Sequence, residues 1–289
     1  MKEQIQEALV KSKGPLSKTL ITKIDSIAGG CIHKAWRVQL EDGRQFFAKT
    51  ADAQGFTKLQ FEASGLKSLK NFSDEKLISI PEPLLLERLE NCSILLLPWI
   101  DLINGSQGIL GKALALLHKS SSEKSQGQFG WKGDGFIGST SQIGGWRNNW
   151  GKCFIELRLI PQLKIAKKWG VNLSDWSKLL CYLTLFLNEH VSEPSLVHGD
   201  LWSGNAAMNK DGKAVIFDPA VWWADREVDL AMTRLFGGFS NDFYKGYESI
   251  WPLPKGSKSR IDIYNLYHLI NHANIFGGSY KNKSLIALK

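Results

Sequence analysis

The chain has 289 residues, of which 43% are hydrophobic and 22% charged, and its formal net charge is +8. These are the proportions of a soluble globular protein long enough for a sizeable core and two lobes; no apolar run approaches a membrane span, and residues 1–15, with Lys2, Glu3, Glu7, Lys11 and Lys13, lack the apolar core of a secretory signal. Cys31, Cys92, Cys153 and Cys181 form no CxxC pair, so reduced thiols and a cytoplasmic setting are expected, while the positive charge serves solubility or attracts polyanions.

Residues 2–12 carry a short helical pattern that reads as a lead-in segment. Strands are expected at 21–27 and 35–40, on either side of Gly29-Gly30-Cys31, and at 45–50 after the turn Glu41-Asp42-Gly43-Arg44. Residues 56–69 have helical spacing, with Phe61, Leu66 and Leu69 apolar and Glu62 among them. Strands at 84–87 and 93–97 complete a five-stranded antiparallel lobe with one main helix after its third strand. The segment Leu97-Pro98-Trp99-Ile100-Asp101 reads as a linker, dividing the chain into lobes 1–97 and 98–289. Residues 109–118 form an amphipathic helix, whereas 120–145 is rich in Gly, Ser and Gln and reads as a long irregular insertion. Long loops inside compact domains are usually functional or disordered, and Phe129, Trp131, Phe136 and Ile137 argue for a packed one. Helices follow from Trp150 to about Trp169, and at 173–190, 228–236, 242–250 and 259–276. The fold class is α+β, with a mostly helical second lobe.

The stretch 196–221 carries the chemistry. Asn205 lies five positions after Asp200 of His198-Gly199-Asp200, and Asp218 lies thirteen after Asn205. A short strand at 206–208, the turn Lys210-Asp211-Gly212 and an apolar strand at 214–217 separate the last two. Protein kinases use the same order of parts: an Asp base, an Asn on a metal, a hairpin, then a metal-binding Asp. Phosphoryl transfer needs a carboxylate at the attacking hydroxyl and hard oxygen ligands for Mg²⁺. Alone, Gly29-Gly30 is more often a turn than a phosphate loop, and a strand-end Lys49 usually reaches solvent. Beside the downstream set, Lys49 held by Glu62 fits the kinase device that grips the α- and β-phosphates of ATP. Trp202 either stacks on a sugar or packs; Asp225, Arg226, Glu227 and Asp229 read as helix capping and an ion-pair network rather than chemistry. His118 and His198 read as structural, and His268 and His272, four apart on a helix, as core or surface histidines rather than a metal pair.

On the segments GGCIHKAWRV, FIGSTSQIGGW, RLIPQL, HGDLWSGN, DPAVWWADREVDLAMTRLFGGF and YHLINHANIFGGSY, the chain resembles the fructosamine kinase (ketosamine-3-kinase) family, relatives of aminoglycoside phosphotransferases in the protein-kinase-like fold. The resemblance runs from about residue 20 to 289. It implies ATP- and Mg²⁺-dependent phosphorylation of the 3-hydroxyl of ketosamines, the Amadori adducts of sugars on amines, which makes the adduct labile and frees the amine. Ribulosamine and erythrulosamine adducts are the expected acceptors, with fructosamines a third candidate. It also implies that Asp200 accepts the hydroxyl proton, that Asn205 and Asp218 hold the metal, and that Gly29, Gly30, Cys31 and Ile32 cover the phosphates. Lys49 and Glu62 then grip the phosphates, and the backbone near Leu97 and Trp99 meets the adenine. A family cysteine at the position of Cys31 implies a redox-dependent homodimer, with the monomer as the alternative. Family aspartates just after the first tryptophan of Trp146-Arg147-Asn148-Asn149-Trp150 are replaced here, which bears on sugar preference. Pro219 after Asp218 stiffens the backbone where protein kinases flip theirs. A small-molecule kinase of the aminoglycoside or choline type shares the frame but not the IGST and DREVDLAM segments. A polyanion binder, nucleic acid included, would want a concentrated basic run, and there is none.

Overall fold

The computed structural model describes residues 1–27 and 34–288. Helix α1 (Lys2–Lys11) precedes strands β1 (Ile21–Ile27), β2 (Lys34–Leu40) and β3 (Gln45–Ala51), followed by helix α2 (Phe56–Lys70), β4 (Ile78–Ser79), β5 (Leu85–Arg88) and β6 (Ser93–Pro98). Five of these strands form an antiparallel sheet in the order β1-β2-β3-β6-β5. The strand period of two decides what each face does. Ile94 and Leu96 join Val38, Leu40, Phe46 and Ala48 under Ile5 and Leu9 of α1. Leu95 and Leu97 point the other way, into the core that holds Leu59, Leu66 and Leu69 of α2. The segment expected as a mere lead-in therefore seals the outer face of the sheet, and Lys49, next to Ala48, emerges on the α2 side.

The chain continues through β7 (Leu102–Ile103), α3 (Gln107–Ser122), β8 (Phe129–Trp131), β9 (Gly135–Ile137), β10 (Thr140–Gln142) and β11 (Gly145–Arg147). The expectation of an irregular insertion at 120–145 is corrected here: β9 and β10 form a hairpin, and β8 and β11 join a sheet ordered β11-β8-β15-β12, where β12 is Ser195–Val197 and β15 is Trp222–Ala224. Three-residue strands are too short to show a period of two. They are also held by distant partners such as Trp223 on Gly130, which sits at φ 124°.

The single helix expected from Trp150 to Trp169 is broken into α4 (Trp150–Phe154), a π-helical turn (Ile155–Leu159), α5 (Ile160–Ala166) and a 3₁₀ turn. Pro161 explains the break: it has no N–H to give the preceding turn, and a wider turn absorbs the mismatch. Helix α6 (Ser177–Glu189) follows, then the hairpin of β13 (Ala206–Asn209) and β14 (Ala214–Ile216), and helices α7 (Glu227–Leu235), α8 (Asn241–Ile250), α9 (Ser257–Phe276) and α10 (Ser279–Ala287), the last not foreseen. Helices α3 and α8 cross at glycines: a Cβ on Gly111 would collide with the Phe243 carbonyl, and one on Gly246 with the Gly108 carbonyl. Among the described residues no helix is long and apolar enough to cross a membrane.

Candidate active site

Strand β12 leads into His198-Gly199-Asp200. Val197 pairs with Trp222, and the His198 carbonyl accepts from Ala220 N–H at 2.8 Å. Gly199 takes φ 81°, and a Cβ there would run into the Ala220 carbonyl, so only glycine lets the chain turn here. The turn is clamped from below by Asp229, which accepts from the N–H groups of His198 (2.7 Å) and Gly199 (2.8 Å). His118 Nε2 meets the same carboxylate at 3.0 Å, and His118 Nδ1 faces the Tyr247 hydroxyl at 2.9 Å. Burial alone would raise the Asp229 pKa. The His118 hydrogen bond, the nearby imidazoles and the backbone N–H groups instead hold it below the ordinary value. Sequence reasoning placed Asp229 in an ion-pair network and missed this grip on the His198-Gly199-Asp200 turn.

His198 is fixed in one tautomer. Its Nδ1 accepts from Asp200 N–H at 3.3 Å, so Nε2 donates to the Phe217 carbonyl at 2.8 Å. Burial lowers its pKa, which keeps the ring neutral, in line with the structural role expected for it. Asn205 Nδ2 donates to the Asp200 carbonyl at 2.9 Å, and the Asn205 carbonyl accepts from Phe217 N–H at 3.1 Å. The β13–β14 hairpin between them turns on Asn209, whose Oδ1 accepts from Asp211 N–H (3.0 Å) and Lys213 N–H (2.9 Å). Past the hairpin, Asp218 occupies the left-handed region at φ 58°, a costly conformation for a non-glycine residue. That backbone aims its half-exposed carboxylate at Lys49.

Lys49 Nζ bonds Glu62 Oε1 at 2.8 Å and also contacts Asp218 Oδ1. Both Lys49 and Glu62 are buried. Burial works against the lysine's charge, but Glu62 and Asp218 outweigh it and raise its pKa. Glu62 is pushed up to about 7, by burial first and by the Asp218 charge as well, against the pull of Lys49. Asp200 is also pushed up to about 7, by burial and then by the charges of Asp218 and Asp229. A carboxyl near neutrality is suited to accepting a proton at physiological pH.

Other expected site residues fall as follows. Leu97 is buried and pairs with Phe47 in the sheet. Trp99 donates its backbone N–H to the Gln45 carbonyl at 3.3 Å, its indole N–H to Asp101 at 2.9 Å, and lies under the Arg37 guanidinium at 4.3 Å. Trp202 is 41% exposed, and its ring folds over Gly204, where a Cβ would strike it. One ring face is thus backed by its own loop. Gly29, Gly30, Cys31 and Ile32 lie outside the described residues.

Asp225 and Glu227 enter the capping and ion-pair network read from sequence, and Arg226 does not. Asp225 meets His190 at 2.9 Å and accepts from the Tyr264 hydroxyl at 3.1 Å, and Glu227 takes both arms of Arg260 at 2.7 Å. Arg226 donates to the carbonyls of Trp251 and Pro252. His268 is fully buried, with its pKa driven down to about 3 by burial, and His272 Nδ1 bonds the His268 carbonyl at 2.9 Å.

Asp200, Asn205 and Asp218 around a hairpin, with a lysine held by a helix carboxylate, sit in a phosphotransferase of the protein-kinase-like fold with an alcohol group as acceptor, the class that the comparisons with known proteins show. Aminoglycoside, macrolide and related antibiotic kinases share that fold alone, at 10–16% identity and TM-scores of 0.57–0.62, and several were solved with ADP or AMP-PNP. The chain belongs to the fructosamine kinase family, whose profile matches residues 1–289. It is 40% identical over 268 residues to a probable ketoamine kinase of Synechocystis sp., covering 91% of this chain and 88% of that one. Against the chloroplastic protein-ribulosamine 3-kinase of Arabidopsis thaliana it is 36% identical over 273 residues, 92% of this chain and 82% of that one. A crystal structure from Haemophilus somnus assigned as a fructosamine-3-kinase superposes with a TM-score of 0.87 at 26% identity, covering 98% of this chain and 95% of that one.

Proposed function

We propose that the protein transfers the γ-phosphate of ATP to the 3-hydroxyl of a ketosamine on a protein or free amine, in cytoplasmic repair of glycated amines. The observation that carries this reading is the convergence of Lys49 on both Glu62 and Asp218, with Asp200 held by the Asn205 side chain on the same loop. Residues 1–97 then form the nucleotide lobe, and 98–289 the catalytic and acceptor lobe. Residues 29–32 cover the phosphates, and the backbone near Leu97 and Trp99 meets the adenine. Because the Trp99 N–H is taken by Gln45, that residue would offer its carbonyl.

Asp200 orients the 3-hydroxyl and takes its proton as the oxygen attacks phosphorus in line. Lys49, steadied by Glu62, offsets charge on the α- and β-phosphates. Asn205 and Asp218 present hard oxygen donors that suit Mg²⁺, and with Asn205 Nδ2 turned to the Asp200 carbonyl its Oδ1 faces the other way. Bound there, Mg²⁺ would offset charge on the phosphate oxygens. Trp202, with one ring face backed by Gly204, offers the other to the sugar. Ribulosamine and erythrulosamine are the expected acceptors, a choice supported by the similarity to a ribulosamine kinase. A coupled ADP-release assay with ribulosyl-lysine, erythrulosyl-lysine and fructosyl-lysine side by side tests this. Acceptor-dependent ADP release with at least one is expected, and none with all three would overturn the reading.

A further inference from the structure

The insertion at 120–145 has no part in the chemistry above, yet β9 reaches across to α2, the helix that carries Glu62. Phe61 and Phe136 meet edge to face, with ring centroids 6.3 Å apart at 73°. A Cβ on Gly135 would collide with the Phe61 ring, so glycine there is what lets the two elements close. Lys58 Nζ lies 5.6 Å from the Phe136 ring centroid. One turn further along α2, a Cβ on Gly65 would press on Val221 at 3.1 Å and Pro219 at 3.2 Å, in the segment just after Asp218. Residues 58, 61, 62 and 65 follow the i, i+3, i+4, i+7 pattern of a single helix face. That face carries Glu62 and is held at its two ends by different segments of the other lobe. The β9–β10 hairpin is itself braced, by the bond from Gln142 Nε2 to the Tyr267 hydroxyl at 2.7 Å and from Arg158 Nη1 to the Ile143 carbonyl at 2.9 Å.

We propose that Phe136, seated by Gly135 on Phe61, is a positioning residue that holds α2 so that Glu62 stays on Lys49. The insertion is then a fixed clasp on the nucleotide lobe, and the ion pair forms without a separate switching event. This rests on the reading of Lys49 and Glu62 as the grip on ATP phosphates. Edge-to-face ring pairs contribute beyond their buried area, on the scale of a several-fold to about tenfold change in an equilibrium.

The test compares wild type, Phe136→Ala, Phe136→Tyr and Gly135→Ala by calorimetric titration with Mg·AMP-PNP and by steady-state kinetics with ribulosyl-lysine. Phe136→Ala is expected to weaken AMP-PNP binding and raise the KM for ATP about tenfold, with the acceptor KM within about twofold. Phe136→Tyr, which keeps the ring, should restore wild-type values, and Gly135→Ala, which displaces Phe61 without truncating it, should follow Phe136→Ala. Equal losses toward ATP and acceptor, or unchanged AMP-PNP binding in both Phe136→Ala and Gly135→Ala, would overturn the proposal. Failure of the wild type itself to bind AMP-PNP would instead sink the reading of Lys49 and Glu62.

Discussion

At the scale of single residues, two buried carboxylates are driven in opposite directions by their surroundings, while a third, Asp218, stands half exposed. Asp229 is buried but saturated with donors, and its pKa falls below the ordinary value. Asp200 is pushed up to about 7 by burial and then by the like charges of Asp218 and Asp229. Asp218 is half exposed and spends its charge on Lys49. In the proposed role of positioned base, Asp200 should supply about 10²–10⁴-fold in turnover. Asp200→Asn should therefore lower kcat by that order while AMP-PNP still binds, as titration calorimetry can check; near-normal turnover would remove Asp200 from the role. The same shift has a stability consequence in the free protein. A carboxyl whose folded pKa lies above its unfolded value binds its proton more tightly when folded. Its folded state is thus penalised above pH 7 and relieved as pH falls toward the unfolded value. Asp200→Asn should then melt higher than wild type at pH 8, with the gap closing toward pH 4, in a series of thermal unfolding curves. Asp218→Ala should abolish most activity, with excess Mg²⁺ recovering only part of it, because Asn205 would be left as the lone protein donor.

At the scale of elements, the parts legible in the sequence are those with local causes. The β2–β3 turn at Asp42-Gly43, the apolar run of β6 and the hairpin between Asn205 and Asp218 are dictated by neighbours in the chain, and they lie where expected. Strands β8 to β11 are dictated by distant partners, with Gly130 meeting Trp223 across the sheet, and no window of a few residues contains that information. Asp229 shows the same limit. Its acidic character was visible, but its target, the backbone of a turn 30 residues earlier, exists only after folding. The crossing of α3 and α8 is a further case, since Gly111 and Gly246 look like poor helix formers until the carbonyls they pack on are known. Gly111→Ala should cost about 1–3 kcal/mol despite its better helix propensity, because backbone cannot retreat as a side chain can. A stability gain in urea denaturation would contradict that crossing geometry.

At the scale of the whole molecule, Lys49 of the five-stranded sheet joins Glu62 of α2 to Asp218 beyond the β13–β14 hairpin, and so ties the proposed nucleotide grip to the loop that carries the proposed base. Cys31, which follows Gly29-Gly30 in the sequence, is proposed to give a covalent dimer under mild peroxide, reversed by dithiothreitol, because an exposed thiolate is the reactive form of cysteine and a two-fold contact needs only one per subunit. Of the other cysteines, Cys92 and Cys153 are buried and Cys181 is exposed. Non-reducing electrophoresis of Cys31→Ala and Cys181→Ala should show the dimer lost only in the first; loss only in the second would assign the bridge to α6. The central claim, phosphoryl transfer from ATP to the sugar 3-hydroxyl, is tested most directly by ³¹P–¹H correlation NMR of the product formed on ribulosyl-lysine. The account predicts phosphorus coupled to the proton on sugar carbon 3, followed by release of free lysine as that product decays. Phosphorus on another carbon, or on the lysine nitrogen, would contradict it.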